Sequence, residues 1–188
     1  MSKSSEPVTT SERHALVGNA IALPCKRPLS LAPHGGYVAR MSLRARYWET
    51  IPLTQMTSDE WEALCDGCGK CCLNKLEDID TEELIFTRVA CRLFDDTTCR
   101  CANYAERKRH VPECVVLTPR NLDEIAYWMP ETCAYRLLHQ GKRLPDWHPL
   151  VTGDPASTHK AGMSMQGRTV SEAVVPLDDW EDYPLDAE

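Results

Sequence analysis

Cys65-Asp66-Gly67-Cys68-Gly69-Lys70-Cys71-Cys72 places four cysteines within eight residues, and five more follow at Cys91, Cys99, Cys101, Cys114 and Cys133. The tenth, Cys25, stands alone near the start, and none occurs after Cys133. Clustering of this kind has two ordinary causes, a disulfide framework or a metal site. Three observations favour metal. The clustered count, nine, is odd. The best export signal, Ala15 to Leu23, is interrupted by Gly18 and Asn19, follows Glu6 and Glu12 and leads to no convincing cleavage site. The expected compartment is therefore the cytoplasm, where thiols stay reduced. Finally, the Cys-x-x-Cys spacing lets one tight turn aim two thiolates at one ion. Gly67 and Gly69 stand where such a turn needs positive φ or unobstructed backbone amides. Amides aimed at sulfur would offset thiolate charge.

The identity of the metal stays open at this level. Zinc takes four ligands in a closed structural site, so eight cysteines could hold two ions or four could hold one. Iron–sulfur clusters also take four cysteines. The rhythm of Cys65, Cys68 and Cys71 resembles the three-ligand run of ferredoxin-like sites, but the Cys-Pro fourth ligand is missing, since Leu73 follows Cys72. All nine clustered cysteines are candidate ligands of zinc or an iron–sulfur cluster. Adjacent residues in an extended loop point to opposite sides. One of Cys71 and Cys72 is therefore expected to bind, with the other free or held by a second centre; the rhythm favours Cys71.

Outward from this segment, the chain of 188 residues is 43% hydrophobic and 26% charged, with 13 prolines against 9 glycines. These values fit a small, loop-rich α+β domain, metal-stabilised, with short helices and one or two β-hairpins. The net charge of −7 is uneven. Residues 1–50 carry seven Lys/Arg and three Asp/Glu, and the remainder fourteen and twenty-five. An acidic body argues against a nucleic-acid partner, because that affinity comes from neutralising phosphates. No apolar run approaches the roughly 18 residues of a membrane span, so no membrane partner is expected. Residues 1–40, rich in Ser, Thr, Pro and Gly, read as a disordered leader, 41–177 as the cysteine-cluster metal-binding domain, and 178–188 as an acidic, solvated tail.

Thr57 to Glu60 has the form of a capping box, which starts a short helix that presents Trp61 and Leu64 inward and delivers Cys65. Leu73–Asp78 and Glu83–Val89 suggest two strands around an acidic turn. Thr118-Pro119 marks a helix start, N-cap then proline, with the helix running to about Tyr127. Thr132–Gln140 reads as another helix, stopped by Gly141 and carrying Cys133 near its N-terminus, where the dipole favours a thiolate. A last hairpin is expected over Met163–Val175 around Gln166-Gly167.

His148 and His159 could complete a metal site, although a histidine without local ligand spacing is more often structural. Asp78, Asp80, Glu82 and Glu83 show no EF-hand pattern and read as a solvated turn. Arg107 to His110 form a basic run, a solvated face by default and a counter-charge to thiolates as the sharper alternative. No phosphate loop, dinucleotide fingerprint, nucleophile elbow or zinc-protease motif occurs, so a binding module is favoured over an enzyme. An iron–sulfur protein that moves electrons or assists an enzyme is the alternative, and an adaptor working through the leader or tail a third.

The run Glu60 to Cys72, together with Lys75-Leu76-Glu77-Asp78, Val89-Ala90-Cys91-Arg92, Thr132 to Leu137 and Leu144 to Leu150, resembles the YcgN-type bacterial cysteine-cluster family. That family sits in a wider CxxCxxCC group described as a zinc- or iron-chelating domain, and some larger members of the group are described as protein-lysine methylases. The resemblance spans about Trp48 to Glu181. It implies Cys65, Cys68, Cys71, Cys72, Cys101 and Cys114 as ligands, with Cys91, Cys99 and Cys133 as additional candidates. The group's Cys-x-x-Tyr-x-x-Arg stretch falls here on Cys101, Tyr104 and Arg107.

Overall fold

In the computed structural model, the described residues are 14–16 and 43–185. The leader expected over 1–40 therefore lies outside the described residues, apart from strand β1, His14–Leu16. The fold is α+β: short helices pack beside a small mixed sheet and a separate two-stranded ribbon.

Helix α1 (Tyr47–Thr50) precedes α2 (Ser58–Ala63). The capping box of α2 is formed as its sequence requires: Thr57 Oγ1 accepts from the Glu60 amide at 3.3 Å and the Glu60 carboxylate accepts from the Thr57 amide at 2.9 Å. Glu60 is also gripped by Arg44, whose Nε and Nη2 donate to its two oxygens at 2.7 and 2.6 Å. After the cysteine loop the chain enters β2 (Leu73–Asp78), turns, and returns as β3 (Leu84–Ala90), antiparallel with Leu76 opposite Ile85. The turn is built by Asp78, whose Oδ1 accepts from the amides of Asp80 and Thr81, both at 2.9 Å. It is the solvated acidic turn the sequence suggests. Strands β4 (Phe94–Asp95) and β5 (Arg100–Cys101) form a second small hairpin.

Helix α3 (Arg107–His110) and α4 (Leu122–Ile125) follow, then α5 (Ala134–His139), α6 (Pro149–Thr152), α7 (Ser157–Lys160) and β6 (Val170–Ser171). The sheet order is β1-β2-β3-β6, with β6 parallel to β3 and β1 antiparallel to β2. Helix α5 ends as expected: Gly141 has φ +70, its amide bonds the Leu138 carbonyl at 3.1 Å and the Lys142 amide bonds that of Leu137 at 2.8 Å.

Three expectations need correction. The helix expected from Thr118 begins at Leu122, because the Asn121 side chain takes the Thr118 amide (2.8 Å) and hydroxyl (3.0 Å) into a local turn first. The hairpin expected over 163–175 does not form; its only strand, β6, pairs with β3 instead. The acidic tail expected from Asp178 is packed through Leu185. A 3₁₀ turn over Leu177–Asp182 buries Trp180, and the Arg88 and Leu185 amides bond Tyr183 and Phe86 carbonyls at 2.7 Å each, extending the free edge of β3.

The main core contains Tyr47, Trp61, Leu64, Leu117, Leu122, Trp128, Met129 and Tyr135, and the cysteines 71, 72, 91, 114 and 133 are part of it. A smaller cluster joins Leu76, Val89, Val175 and Trp180 on the sheet.

Candidate metal centre

Three segments converge on a cavity of about 20 Å³, roughly the room of one water-sized sphere. It is lined by Cys65, Cys68, Cys71, Cys72, Cys99, Cys101 and Cys133. Cys91 and Cys114, the other two expected ligands, are buried in the same core but do not line that cavity. Cys91 is tied to a lining residue through its amide, which bonds the Cys72 carbonyl at 2.9 Å. No disulfide joins any two of the nine described cysteines.

Helix α2 delivers Cys65. It is clamped to α5 by Tyr135, whose hydroxyl donates to the Trp61 carbonyl at 2.8 Å, with the two rings 4.6 Å apart. The loop then turns at Gly67 and Gly69, with φ +75 and +82, the left-handed conformation expected of them. The space beside Gly69 is taken: an added Cβ would lie 2.7 Å from Phe94 Cζ and 3.5 Å from Cys99 Cβ. Asp66 Oδ1 accepts from the Cys68 amide at 3.1 Å, and the Cys68 carbonyl accepts from the Met165 amide at 2.8 Å. Cys71 and Cys72 share a 3₁₀ turn, Lys70–Cys72. Cys133 is the N-cap of α5. Cys99 is held at φ +53 at the tip of the β4–β5 hairpin, where Asp95 accepts from the Thr97 amide at 2.9 Å.

Backbone amides lie where they favour thiolates. Burial pushes the Cys68 thiol well up, and the Lys70 amide pulls it back. Burial pushes Cys91 up to about 11 and Cys133 up to about 12, opposed by the amides of Leu93 at the first and of Arg136 and Tyr135 at the second. At all three cysteines an opposing amide belongs to the residue two positions on, the arrangement that lets a turn wrap a sulfur-bound ion.

Two buried lysines face the thiols. Lys75 is 1% exposed; its Nζ donates to the Leu73 carbonyl at 2.7 Å and lies 4.9 Å from the Phe86 ring centre and 5.0 Å from that of Trp128. Burial pulls its pKa down to about 8, while the charges of Cys71, Cys72 and Cys68 act upward. Lys70, 2% exposed, is lowered by burial and supported by Cys68 and Asp66. Burying an ammonium is costly unless an anion accompanies it. Lys70 and Lys75, rather than the 107–110 run expected as the sharper alternative, are the buried lysines whose electrostatic partners are cysteines. In that run Arg107 instead stacks 3.7 Å over the Tyr104 ring and donates to the Tyr104 carbonyl at 2.6 Å, which gives the Tyr-x-x-Arg spacing a structural role.

The two histidines are engaged elsewhere. His148 Nδ1 accepts from the Leu150 amide at 3.1 Å, so the proton sits on Nε2, which donates to the Leu64 carbonyl at 3.1 Å. Burial holds this imidazole below its ordinary pKa. His148 thus braces the residue before Cys65, a role visible only once Leu64 is placed. His159 Nδ1 lies 3.0 Å from Ser164 Oγ.

The donor set suits a soft metal: thiols, amides aimed at sulfur and buried cations. Among the described residues, no three Cys, His, Asp or Glu side chains are already drawn together at coordinating separation. No described helix is long and apolar enough to cross a membrane.

Residues 64–134 match the CxxCxxCC family, described as "Putative zinc- or iron-chelating domain". The chain is 61% identical over 145 residues to a UPF0260 protein of Rhodobacter capsulatus, covering 77% of this chain and 97% of that one. It is 58% identical to a UPF0260 protein of Gluconobacter oxydans (74% and 86% covered) and 59% identical to one of Caulobacter vibrioides (70% and 81%). No solved structure matches.

Proposed function

This chain belongs to the UPF0260 family of bacterial proteins, within the CxxCxxCC group, and we propose that it is a metal-binding protein whose cysteine thiolates hold zinc or an iron–sulfur cluster as part of the fold. The observation that carries this reading is the convergence of seven cysteines from separate segments on one small cavity beside two buried lysines. Each bound thiol gives up its proton, and the ammonium groups of Lys70 and Lys75 then face the anions their burial calls for. Zinc would supply a redox-inert cross-link between these segments, and an iron–sulfur cluster one-electron chemistry.

The test is metal and sulfide analysis, with a visible spectrum, of the full chain purified anaerobically. Colourless protein with stoichiometric zinc supports the zinc form. Brown protein with broad visible absorption and acid-labile sulfide supports the cluster. A chain that arrives without metal, takes up neither zinc nor iron, and keeps its full thermal stability would overturn the reading.

A further inference from the structure

Resting on the metal-binding reading, we propose that the β4–β5 hairpin is a lid on the cysteine cavity and that Gln166 and Gly167 latch it, so that unlatching sets the rate at which bound metal leaves the folded chain. The hairpin supplies two of the cysteines that line the cavity, Cys99 and Cys101. Its base is anchored. The Cys91 amide bonds the Cys72 carbonyl at 2.9 Å, and Arg92 donates to Glu172 from its amide (3.1 Å) and its Nε (2.9 Å). The two arms are one unit, because Phe94 pairs with Cys101 and the Ala102 amide bonds the Leu93 carbonyl at 2.7 Å. From that base the hairpin lies against the cysteine loop. The Phe94 ring and Cys99 Cβ fill the space beside Gly69, 2.7 and 3.5 Å from where a Cβ would stand.

The tip is held by a distant part of the chain. Gln166 Nε2 donates to the Thr97 carbonyl at 2.6 Å, and the Gly167 amide donates to the Asp96 carbonyl at 3.0 Å. Both bonds come from a turn that is itself tied to the cysteine loop, since the Met165 amide bonds the Cys68 carbonyl at 2.8 Å. Met165 is fully buried and packs with Leu73 and Ala90, beside Phe94. The turn thus straps the hairpin tip to the loop that carries Cys68. Its two ends differ in kind. Met165 is a core anchor, whereas Gln166, Gly167 and Thr97 are exposed. Solvent-exposed hydrogen bonds with little apolar packing are the first to open in local fluctuations. Asp96 and Thr97 precede Cys99 in the same tight tip, so lifting the buried Cys99 away from Gly69 breaks both latch bonds. An ion shared between hairpin thiols and loop thiols leaves by that opening. Neither latch bond involves a sulfur, so weakening one changes how often the lid opens and leaves the sulfur–metal bonds as they are.

The experiment loads the full, reduced chain with Co(II) under anaerobic conditions and follows its thiolate charge-transfer absorption during release to excess chelator. Gln166→Met keeps the length of the side chain and removes its donor. Trp180→Ala is the comparison, because it weakens the sheet cluster and leaves the hairpin untouched. All three chains should hold the same cobalt per chain after gel filtration. Release from Gln166→Met should be faster than from the parent by roughly two- to tenfold, the effect of losing one hydrogen bond. Release from Trp180→Ala should match the parent, although that variant is the less stable of the two. Hydrogen exchange of the loaded chains gives a second readout: amides of residues 97–101 should speed by the same factor in Gln166→Met and stay as in the parent in Trp180→Ala. Unchanged release and exchange in Gln166→Met would overturn the latch while leaving metal binding intact. So would release that is faster from Trp180→Ala than from Gln166→Met, since metal would then leave by global unfolding. Failure of the parent to bind cobalt at all would overturn the metal reading itself.

Discussion

Gly69 shows how narrowly the cysteine loop is set. A side chain there meets two obstacles, the left-handed φ of +82 and the Phe94 ring 2.7 Å from its Cβ, whereas Gly67 at φ +75 meets only the first. The conformational cost alone is about 1–2 kcal/mol. Gly67→Ala should cost about that much, and Gly69→Ala about 1–3 kcal/mol more through overpacking, as read from urea melts of the two variants. That both glycines would be needed was legible from the Cys-x-x-Cys spacing; that Phe94 seals one of them was not, since it lies in another hairpin. His148 makes a similar point. Its sequence neighbourhood left ligation open, and the carbonyl it serves is far along the chain at Leu64. His148→Leu should leave metal per chain unchanged while lowering stability by about 1–3 kcal/mol, the cost of an unsatisfied buried carbonyl. Loss of stoichiometric metal from that variant would return the histidine to the ligand set. Glu60 makes one pH-dependent contribution to stability. The Arg44 guanidinium and the Thr57 amide hold its carboxyl down to about 2. A depressed folded-state value contributes stability that is complete above the unfolded value and is lost as pH falls through the folded one. Glu60→Gln should therefore be less stable than the parent at neutral pH. The gap should close between about pH 4.5, the ordinary glutamate range, and pH 2, measured as urea midpoints at stepped pH.

Among the elements, those specified by local chemistry were legible. The capping box started α2, the Cys133 segment became α5 with its glycine stop, and the acidic turn between β2 and β3 formed where the polar residues lay. The misread elements are those decided by distant partners. β6 finds β3 across about eighty residues, and nothing in Met163–Val175 announces a parallel pairing. The acidic segment from Asp178 looked solvated because its charges dominate its composition. Its attachment runs through backbone bonds to Arg88 and Phe86 and through one indole, whose Nε1 donates to the Val175 carbonyl at 3.3 Å. Backbone pairing leaves Asp178, Asp179 and Asp182 exposed to water, so acidity and order coexist. Trp180→Ala should then destabilise the chain by about 3–5 kcal/mol, as for other buried tryptophans. Metal content should be unchanged, because Trp180 packs in the sheet cluster rather than around the thiols. A tail that was truly solvated would show no change in melting temperature.

At the scale of the whole molecule, the elements are too short to stand without their tertiary setting. The longest described α-helices have 6 residues and the longest strand 7, well below the roughly 12–15 at which an isolated helix becomes even marginal. What holds them is a core in which the cysteines are themselves packing residues. The sheet cluster is not independent of that core, because β2 begins just after Cys72 and β3 ends just before Cys91. Structural zinc in small domains contributes about 10–16 kcal/mol of binding free energy, comparable with or larger than the 5–15 kcal/mol or so by which ordinary domains are stable. Removing the metal should therefore remove the fold, and remove it everywhere at once. Anaerobic treatment of the full chain with a strong chelator at neutral pH should abolish the near-ultraviolet circular dichroism of the Trp61–Tyr135 pair. It should also red-shift tryptophan emission as Trp180 is exposed, both along a single transition. Re-addition of the metal originally present should restore both signals. Retention of the Trp180 environment after the Trp61 signal is lost would show that the sheet cluster folds on its own. Retention of both would show that the core packs without the metal.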